Sequence, residues 1–341
     1  MIICICGGGN LGHSIAGRAA AVLKNRAQVR LLTRKPELWS DTICVEDDQG
    51  NIFDSPLAMV TNDVKKAVNG ADIILLCLPG FAIEEELNRL KPLLSPNTQV
   101  GSVVCSTGFF FKAFDILGKE ARLFGFQRVP FVARIAEYGH HSYIWGYRNE
   151  VFMATCNIDG GTVENLQNLF SNMFGTPVSL LENYMEAALT NSNPILHTGR
   201  LYAMWKEWNG TLFDRQSYFY SEWTDEASET IIAMDKEFFK LLDALKVRKG
   251  SIKTLLEHYE STDATSMTRK IKSIPSLAKV LSPMRQVEGG YVPDFQSRYF
   301  TEDFPYGLAI LHKLMHEHGV ASPTIDKIFA WGMEMLRRYN Q

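Results

Sequence analysis

The first twelve residues constrain the fold more than any other part of the chain. An apolar run, Ile2–Cys6, leads into the pattern Gly-x-Gly-x-x-Gly, and an alanine-rich segment of helical composition follows. In this pattern the first glycine permits a tight turn, the second lets the backbone approach a pyrophosphate, and the third allows helix and strand to pack closely. The N–H groups and the positive dipole end of the helix then face the phosphates. The stretch predicts a dinucleotide-binding turn, the alternative being a plain strand-to-helix turn, with contacts from Gly7, Gly9, Asn10, Leu11 and Gly12.

The first half of the chain alternates between strand-like and helix-like segments. Buried strands are predicted at Ile2–Cys6, Val29–Thr33, Ile73–Leu78, Gln99–Cys105 and Val151–Cys156, and helices at Leu11–Leu23, Asp63–Asn69, Phe81–Leu94 and Val163–Phe174. Near-continuous apolar strands that alternate with helices are typical of a parallel sheet covered on both faces. We therefore predict an α/β fold with an N-terminal Rossmann doubly wound parallel sheet over residues 1–181.

The second half has a different pattern, with apolar residues at helical spacing and few strand-like runs. Helices are predicted at Glu182–Trp208, Glu226–Leu245, Ser251–Tyr259 and Tyr306–Tyr339. Between Ser261 and Arg298 the chain is richer in Ser, Thr, Pro and Gly, which predicts irregular covering structure. We predict an all-helical C-terminal domain over residues 182–341, with the ligand cleft between the two domains.

Composition excludes several classes of partner. A chain of 341 residues with 46% hydrophobic and 21% charged residues has the composition of an ordinary globular protein of about two domains. The net charge of −3 predicts neither nucleic acid nor an anionic membrane as a partner, and no apolar run approaches the ~20 residues of a membrane span. The six scattered cysteines indicate free thiols in a reducing compartment. Because the glycine motif begins almost at Met1, we expect no signal peptide and a cytoplasmic protein.

The end of the second predicted strand bears on which nicotinamide cofactor binds. NAD sites usually place an acidic residue there, about 20 positions past the glycines, to bind the ribose 2′-hydroxyl. Here the segment Leu32-Thr33-Arg34-Lys35-Pro36 holds no acid. An arginine beside a hydroxyl suits a 2′-phosphate, so Thr33 and Arg34 favour NADP over NAD, the alternative being a solvated turn. The predicted cofactor contacts also include Leu78 and Pro79.

Three later segments carry the candidate chemistry. They are Gln127-Arg128-Val129-Pro130-Phe131-Val132-Ala133-Arg134-Ile135, Asn191-Ser192-Asn193-Pro194-Ile195-Leu196-His197-Thr198-Gly199 and Arg298-Tyr299-Phe300-Thr301-Glu302-Asp303-Phe304-Pro305-Tyr306-Gly307-Leu308. In order and spacing they resemble the opine dehydrogenases, the octopine/nopaline dehydrogenase family, and the resemblance covers nearly the whole chain. It implies a Rossmann domain followed by a helical domain of the 6-phosphogluconate dehydrogenase-like type. It also implies reductive condensation of a 2-oxo acid, such as pyruvate, with an amino acid by means of NAD(P)H.

The resemblance also implies residue roles. According to the resemblance, His197 and Asp303 form the catalytic pair and Arg298 holds the oxo-acid carboxylate. Gln127 would line the substrate site. Histidine titrates near neutral pH and can move protons in both directions, a neighbouring carboxylate orients its ring, and a guanidinium grips a carboxylate through two bonds. The structural alternatives are a hydrogen-bonded core histidine, a helix N-cap at Asp303 ahead of Pro305, and a surface arginine. The exposed helical domain further leads us to expect a homodimer.

Two other functions stay open. A simple 2-oxo-acid reductase resembling ketopantoate reductase would use a lysine as general acid, for which Lys206 is the candidate. A non-catalytic NADP-binding sensor would keep the glycine motif without turnover. No metal site is expected, because the i, i+4 pair His312 and His316 lacks an acidic or cysteine ligand at telling spacing. The aromatic residues from Trp205 to Tyr220 are interpreted as packing, part of which sets the size of the amino-donor pocket.

Overall fold

The structure of this protein, a computed structural model, describes residues 1–339. Contacts divide it into a first unit, Met1–Thr190, and a second unit that begins at Asn191. The boundary predicted between residues 181 and 182 precedes the short helix Tyr184–Ala188. That helix packs against the strand Val151–Cys156, which is why contacts assign it to the first unit.

The first unit has twelve strands and six helices. Its strands are β1 (Ile2–Cys6), β2 (Gln28–Leu32), β3 (Thr42–Asp47), β4 (Ile52–Pro56), β5 (Met59–Thr61), β6 (Ile73–Leu76), β7 (Gln99–Val103), β8 (Leu123–Phe126), β9 (Val132–Glu137), β10 (His141–Trp145), β11 (Val151–Cys156) and β12 (Val178–Leu180). Its helices are α1 (Asn10–Leu23), α2 (Val64–Val68), α3 (Gly80–Leu90), α4 (Phe109–Leu117), α5 (Gly160–Phe174) and α6 (Tyr184–Ala188). Short 3-10 turns lie at Lys24–Arg26, Pro36–Leu38, Lys91–Leu93 and Cys105–Thr107.

The central sheet has eight strands in the order β12-β11-β8-β7-β6-β1-β2-β5. The six strands from β5 to β8 pair in parallel, and β11 pairs with β8 in the antiparallel direction. Residues Ile3–Cys6 of β1 are buried in succession, as expected for a strand covered on both faces. The predicted α/β fold with an N-terminal parallel sheet is confirmed.

A second sheet of four strands, in the order β4-β3-β10-β9, packs on α1. Ile43 and Val45 of β3 are fully buried, and Gly17 of α1 makes room for them, since a Cβ there would lie 2.6 Å from Val45. No strand was predicted at β3 or β4. β3 is buried at two alternate residues and β4 only half-buried at alternate residues, so both lack the continuous apolar run of the central strands.

The second unit is helical, as predicted, apart from one small hairpin. Its elements are α7 (Asn193–Trp205), α8 (Asp225–Ala244), α9 (Leu255–His258), α10 (Ala264–Lys272), a 3-10 turn (Pro275–Leu277), β13 (Met284–Val287), β14 (Gly290–Pro293), α11 (Arg298–Thr301), a π-helical turn (Phe304–Leu308), α12 (Ala309–Glu317) and α13 (Pro323–Tyr339). Two predicted helices are each divided ahead of a proline, Pro194 or Pro323, because proline restricts the preceding residue and donates no N–H. The segment predicted as irregular contains α10 and the hairpin. Among residues 1–339, no helix is long and apolar enough to cross a membrane.

Aromatic side chains fill the core around the π-helical turn. Phe300 and Phe304 are fully buried, with their rings stacked 5.4 Å apart. Gly332 of α13 lets Phe304 lie against the helix, because a Cβ there would be 1.9 Å from the ring. Asp303, which directly precedes Phe304, is thus placed by a densely packed core.

Candidate active site

The glycine-rich turn has the geometry that a pyrophosphate requires. Gly7 has a φ of +121° and donates its N–H to the Leu32 carbonyl at 2.9 Å. A Cβ at Gly12 would lie 1.8 Å from the Gly7 carbonyl oxygen, whereas a Cβ at Gly9 would meet no described atom within 4 Å. Gly12 therefore allows the close packing of α1, and Gly9 leaves open space at the N-terminus of that helix. The turn fits the phosphates of a dinucleotide.

Asn10 and Leu11, also predicted as cofactor contacts, use their side chains to stabilise the fold. The Asn10 Oδ1 atom accepts a hydrogen bond from the Ile135 N–H at 2.8 Å, and Leu11 packs against the core of the first unit. Their backbone N–H groups lie in the first turn of α1, where an α-helix has no acceptor of its own for them. A phosphate contact from these two residues would therefore come from the backbone.

His13 is a residue of this site that the sequence analysis missed. Its Nε2 atom accepts a hydrogen bond from the Gly139 N–H at 2.7 Å, and its Nδ1 atom lies 3.3 Å from the Gly9 carbonyl oxygen. Burial lowers the pKa of His13 to about 4, so the ring is neutral and its proton sits on Nδ1. By fixing Gly139, the ring also places Tyr138, whose hydroxyl lies 3.3 Å from Thr33 Oγ1. Helical composition alone does not reveal such a contact.

A cavity of about 340 Å³ opens beside the glycine turn. The structure brings five predicted cofactor residues together in its wall, namely Gly7, Thr33, Arg34, Leu78 and Pro79. They follow the carboxyl ends of β1, β2 and β6, which is where ligands bind in open parallel sheets.

Charged residues of α3 also line this cavity, a feature that the sequence analysis did not anticipate. Arg89 Nη1 lies 2.7 Å from Glu86 Oε2. Burial raises the pKa of Glu86, while the Arg89 charge acts in the opposite direction. The other oxygen, Glu86 Oε1, is buried and has no hydrogen-bond partner among residues 1–339. A ligand that carries a hydroxyl or amino group could satisfy this acceptor.

His197 and Asp303 meet in the second unit. The His197 Nδ1 atom lies 2.8 Å from Asp303 Oδ2, and both side chains are largely buried. Asp303 stands where an N-cap would, with Pro305 in the first turn, but its carboxylate bonds to His197 instead of to the helix N–H groups. Pro194 at the start of α7 touches Gly307, where a Cβ would lie 2.7 Å from the proline ring. This close approach brings the two side chains within hydrogen-bond distance.

Tyr220 occupies the other nitrogen of the same imidazole. Its hydroxyl lies 3.1 Å from His197 Nε2. With the Nδ1 proton donated to Asp303, Nε2 accepts and Tyr220 donates. Burial raises the pKa of Tyr220 well above its ordinary value, so the hydroxyl keeps its proton. Tyr299 and Phe219 pack on the ring at centroid distances of 4.8 and 5.8 Å. The sequence interpretation of these aromatic residues as packing and pocket lining did not include this hydrogen bond.

Arg200 holds the segment that carries Tyr220. It lies on α7, is buried, and donates hydrogen bonds to the Phe219 and Glu222 carbonyls at 3.2 and 2.7 Å. Burial lowers the pKa of Arg200 to about 10, which leaves the guanidinium charged at neutral pH. One helix therefore supplies both His197 and the side chain that fixes its tyrosine partner.

The remaining predicted residues differ in their surroundings. Arg298 is 82% exposed and binds Glu302 through two contacts, Nε–Oε1 at 2.7 Å and Nη2–Oε2 at 2.8 Å. The hydrogen bond to Glu302 raises the pKa of Arg298, and the charge of the neighbouring Asp303 adds to the effect. Gln127 belongs to the first unit, where its Nε2 atom donates to the Glu186 carbonyl at 3.4 Å.

Lys206, the general acid expected of a ketopantoate reductase-like enzyme, lies just past the end of α7. Its Nζ atom forms an ion pair with Glu226 Oε1 at 2.5 Å. The hydrogen bond to Glu226 raises the pKa of Lys206, which makes it a weaker acid than a free lysine. This environment does not suit a proton donor near neutral pH.

Comparisons with known proteins agree with this architecture. The family model described as NAD/NADP octopine/nopaline dehydrogenase, alpha-helical domain, matches residues 180–336, and that of the NAD-dependent glycerol-3-phosphate dehydrogenase N-terminus matches residues 2–120. Opine dehydrogenase of Haliotis discus hannai is 28% identical, and octopine dehydrogenase of Pecten maximus 26%, each over 98% of this chain and 90% of the relative. A solved structure of octopine dehydrogenase with NADH and L-arginine has a TM-score of 0.85 and 25% identity, covering 99% of this chain and 90% of the other.

Proposed function

Because the chain belongs to the opine dehydrogenase family, we propose that it is an NAD(P)H-dependent opine dehydrogenase. It condenses a 2-oxo acid with the amino group of an amino acid and reduces the product to a secondary amine, or catalyses the reverse oxidation. The observation that carries this proposal is the hydrogen bond of 2.8 Å between His197 Nδ1 and Asp303 Oδ2. It orients a ring that can exchange protons at its other nitrogen.

The proton transfers follow from the arrangement of His197. Condensation requires a proton to leave the amine and another to reach the departing water, and reduction requires the C=N nitrogen to be protonated or charge-stabilised. Asp303 holds the Nδ1 proton, so Nε2 takes and returns protons once the substrate displaces the Tyr220 hydroxyl from it. The Asp303 carboxylate also stabilises the imidazolium whenever Nε2 is protonated. When bound, the nicotinamide supplies the hydride.

Arg298 binds the substrate carboxylate in this proposal. Its guanidinium already grips a carboxylate with two bonds, that of Glu302, and it is open to solvent. The carboxylate of the 2-oxo acid takes the place of Glu302 and is thereby oriented for reaction. We assign Gln127 to substrate binding.

The cofactor is a nicotinamide dinucleotide, and we propose that NADPH is preferred over NADH. Thr33, Arg34 and Lys35 line the cavity at the end of β2, and a guanidinium beside a hydroxyl suits a 2′-phosphate. Glu86, an acidic residue of the cavity wall, comes from α3 and not from the end of β2, and one of its two carboxylate oxygens is paired with Arg89. The open backbone at Gly9 and the N-terminus of α1 would hold the pyrophosphate.

The cofactor preference can be tested with Arg34→Gln. We expect the KM for NADPH to rise about tenfold, the loss of roughly one charge-assisted bond, while the KM for NADH changes little. Steady-state kinetics with both cofactors measure this, with Lys119→Gln, at an exposed position outside the cavity wall, as the control. A wild-type enzyme that prefers NADH, or a variant that loses both cofactors equally, would contradict the preference.

The activity itself is tested by oxidation of NADPH and NADH with pyruvate and other small 2-oxo acids, with and without a pool of amino acids. Amine-dependent oxidation is the expected result, and dividing the pool then identifies the amine. His197→Asn should lower the rate by ~10²–10⁴ without weakening cofactor binding, whereas His140→Asn, at an exposed position, should not. Oxidation without amine would indicate a simple 2-oxo-acid reductase. Cofactor binding without turnover would indicate a sensor.

We further propose that the enzyme lies in the cytoplasm. All six cysteines lie within the described residues as free thiols, a state that a reducing compartment maintains.

We also propose that the enzyme is a homodimer. This expectation rests on the exposed helical domain. Sedimentation velocity measures the oligomeric state directly, and a single monomeric species at micromolar concentration would exclude the dimer.

A further inference from the structure

Three side chains that the proposed reaction does not use converge where α12 ends and α13 begins. His312 Nε2 lies 3.4 Å, and His316 Nε2 3.2 Å, from the same oxygen, Asp326 Oδ1. One ligand atom from each of the three residues falls within 4.8 Å of the others. The two histidines share a helix face, being four residues apart, and the carboxylate comes from the first turn of the next helix.

We propose that His312, His316 and Asp326 bind a divalent transition-metal ion of the zinc class and thereby tie α12 to α13. Two imidazole nitrogens and a carboxylate oxygen are a ligand set that Zn²⁺ takes in proteins, with water in the fourth position. This site lies outside the chemistry of the proposed dehydrogenase reaction.

The spacing of the ligand atoms supports the proposal. In a tetrahedral zinc site with bonds of about 2.0–2.1 Å, neighbouring ligand atoms stand about 3.3 Å apart. The two nitrogen-to-oxygen distances of 3.4 and 3.2 Å match the edges of such a tetrahedron. The third edge of the tetrahedron joins the two histidine nitrogens. A small approach of the two imidazoles toward each other would bring this edge to the same length.

The surroundings orient the ligands and leave them accessible. The Ser322 hydroxyl donates a hydrogen bond to Asp326 Oδ1 at 2.9 Å, and the Phe329 ring stacks on His312 at 4.3 Å. Such outer contacts hold metal ligands in position. The side chains of His312, His316 and Asp326 are 28%, 59% and 40% exposed, so an ion can enter and keep bound water.

The proposed role is mechanical. Chain segment 303–317 runs from Asp303 through the π-helical turn into α12, and α13 supplies Gly332 beneath Phe304. A metal ion at the junction would hold these two helices together and raise the stability of the second unit. Because no ligand touches the reacting groups named above, turnover should not require the ion.

The test uses the full-length protein, stripped with a chelator, dialysed and titrated with Zn²⁺ alone by calorimetry and by thermal unfolding. The wild type should bind one Zn²⁺ that raises its Tm. His316→Gln and His312→Gln should each weaken that binding at least ~10-fold, because a residue bound directly to the ion matters no less than the outer contacts, whose loss costs about 10–100-fold. His318→Gln, a matched change at an exposed histidine on the same turn, should bind as the wild type does.

A second set of possible ligands, Cys44, Glu46 and His141, lies in the first unit and must be distinguished. Co²⁺ bound by two imidazoles and a carboxylate shows visible d–d absorption without the sulfur-to-cobalt band that a thiolate ligand produces. We expect that spectrum to disappear in His316→Gln and to persist in Cys44→Ala. The proposal is overturned if the wild type takes up no ion, or if His316→Gln binds it unchanged. Retained amine-dependent activity in the stripped enzyme keeps this outcome separate from the proposed function.

Discussion

In the proposed reaction, the role of His197 depends on which atom each nitrogen of its imidazole faces. Asp303 accepts the Nδ1 proton of His197 at 2.8 Å, and the Tyr220 hydroxyl lies 3.1 Å from Nε2. Hydrogen bonds are directional, so the two partners together fix both the tautomer and the plane of the ring. Tyr220 is therefore a positioning residue for the ring.

Tyr220→Phe tests this role as a positioning residue. Removing the hydroxyl should lower kcat by about fivefold, the equivalent of one hydrogen bond of ~1 kcal/mol, with little change in KM. Steady-state kinetics measure both values. Tyr218→Phe, at an exposed position nearby, serves as the control. An unchanged kcat would mean that the tyrosine contributes packing alone.

At the scale of elements, the pair is set by how closely the π-helical turn approaches α7. Gly307 lies so close to Pro194 that a Cβ at position 307 would be 2.7 Å from the proline ring. A proline ring cannot rotate away as a long side chain can. Protein interiors are packed too densely to absorb an added methyl group without a shift. The glycine therefore determines the His197–Asp303 distance from four residues away.

Gly307→Ala should separate the turn from α7 and lengthen this hydrogen bond. We expect a fall in kcat of tenfold or more, with a destabilisation of about 1–3 kcal/mol, and little change in the KM for the cofactor, whose residues lie in the first unit. Steady-state kinetics and urea unfolding check these values. Gly160→Ala is the control, since a Cβ at Gly160 meets no described atom within 4 Å. Wild-type kcat in Gly307→Ala would exclude the steric argument.

At the scale of the whole molecule, the burial of His13 makes the stability depend on pH. Its pKa is lowered by burial to about 4, below the ~6.5 of an unfolded histidine. A group whose pKa is depressed on folding contributes stability that is present above the unfolded value and is lost as pH falls through the folded one. This stability is therefore lost as the pH falls from about 6.5 to about 4, and the part of the structure affected is the first unit.

Between pH 7.5 and 5.0 this titration should reduce the free energy of unfolding of the first unit by about 2 kcal/mol. His13→Gln cannot titrate, yet its amide can still accept from the Gly139 N–H, so its stability should depend less on pH. Urea unfolding at both pH values, read by tryptophan fluorescence and far-ultraviolet circular dichroism, gives the difference. Equal pH dependence in the two proteins would exclude His13 as the titrating group.

The sequence by itself determined the features that depend on neighbours along the chain. The turn at Gly7, Gly9 and Gly12 requires glycine for local backbone reasons, the parallel strands carry continuous apolar runs, and the second unit repeats at helical spacing. His197 and Asp303 were predicted through their motifs and the family resemblance, and the structure places them in contact. Their catalytic role is a proposal that the kinetics above will test.

Only the tertiary structure decided the contacts between distant segments. Tyr220 on His197, Glu86 and Arg89 in the cofactor cavity, and Asp326 beside two histidines join residues from different elements. Periodicity reports which face of an element is apolar, but not which polar atom of another element it will meet. That choice follows from packing and hydrogen-bond geometry, which exist only once the elements have assembled.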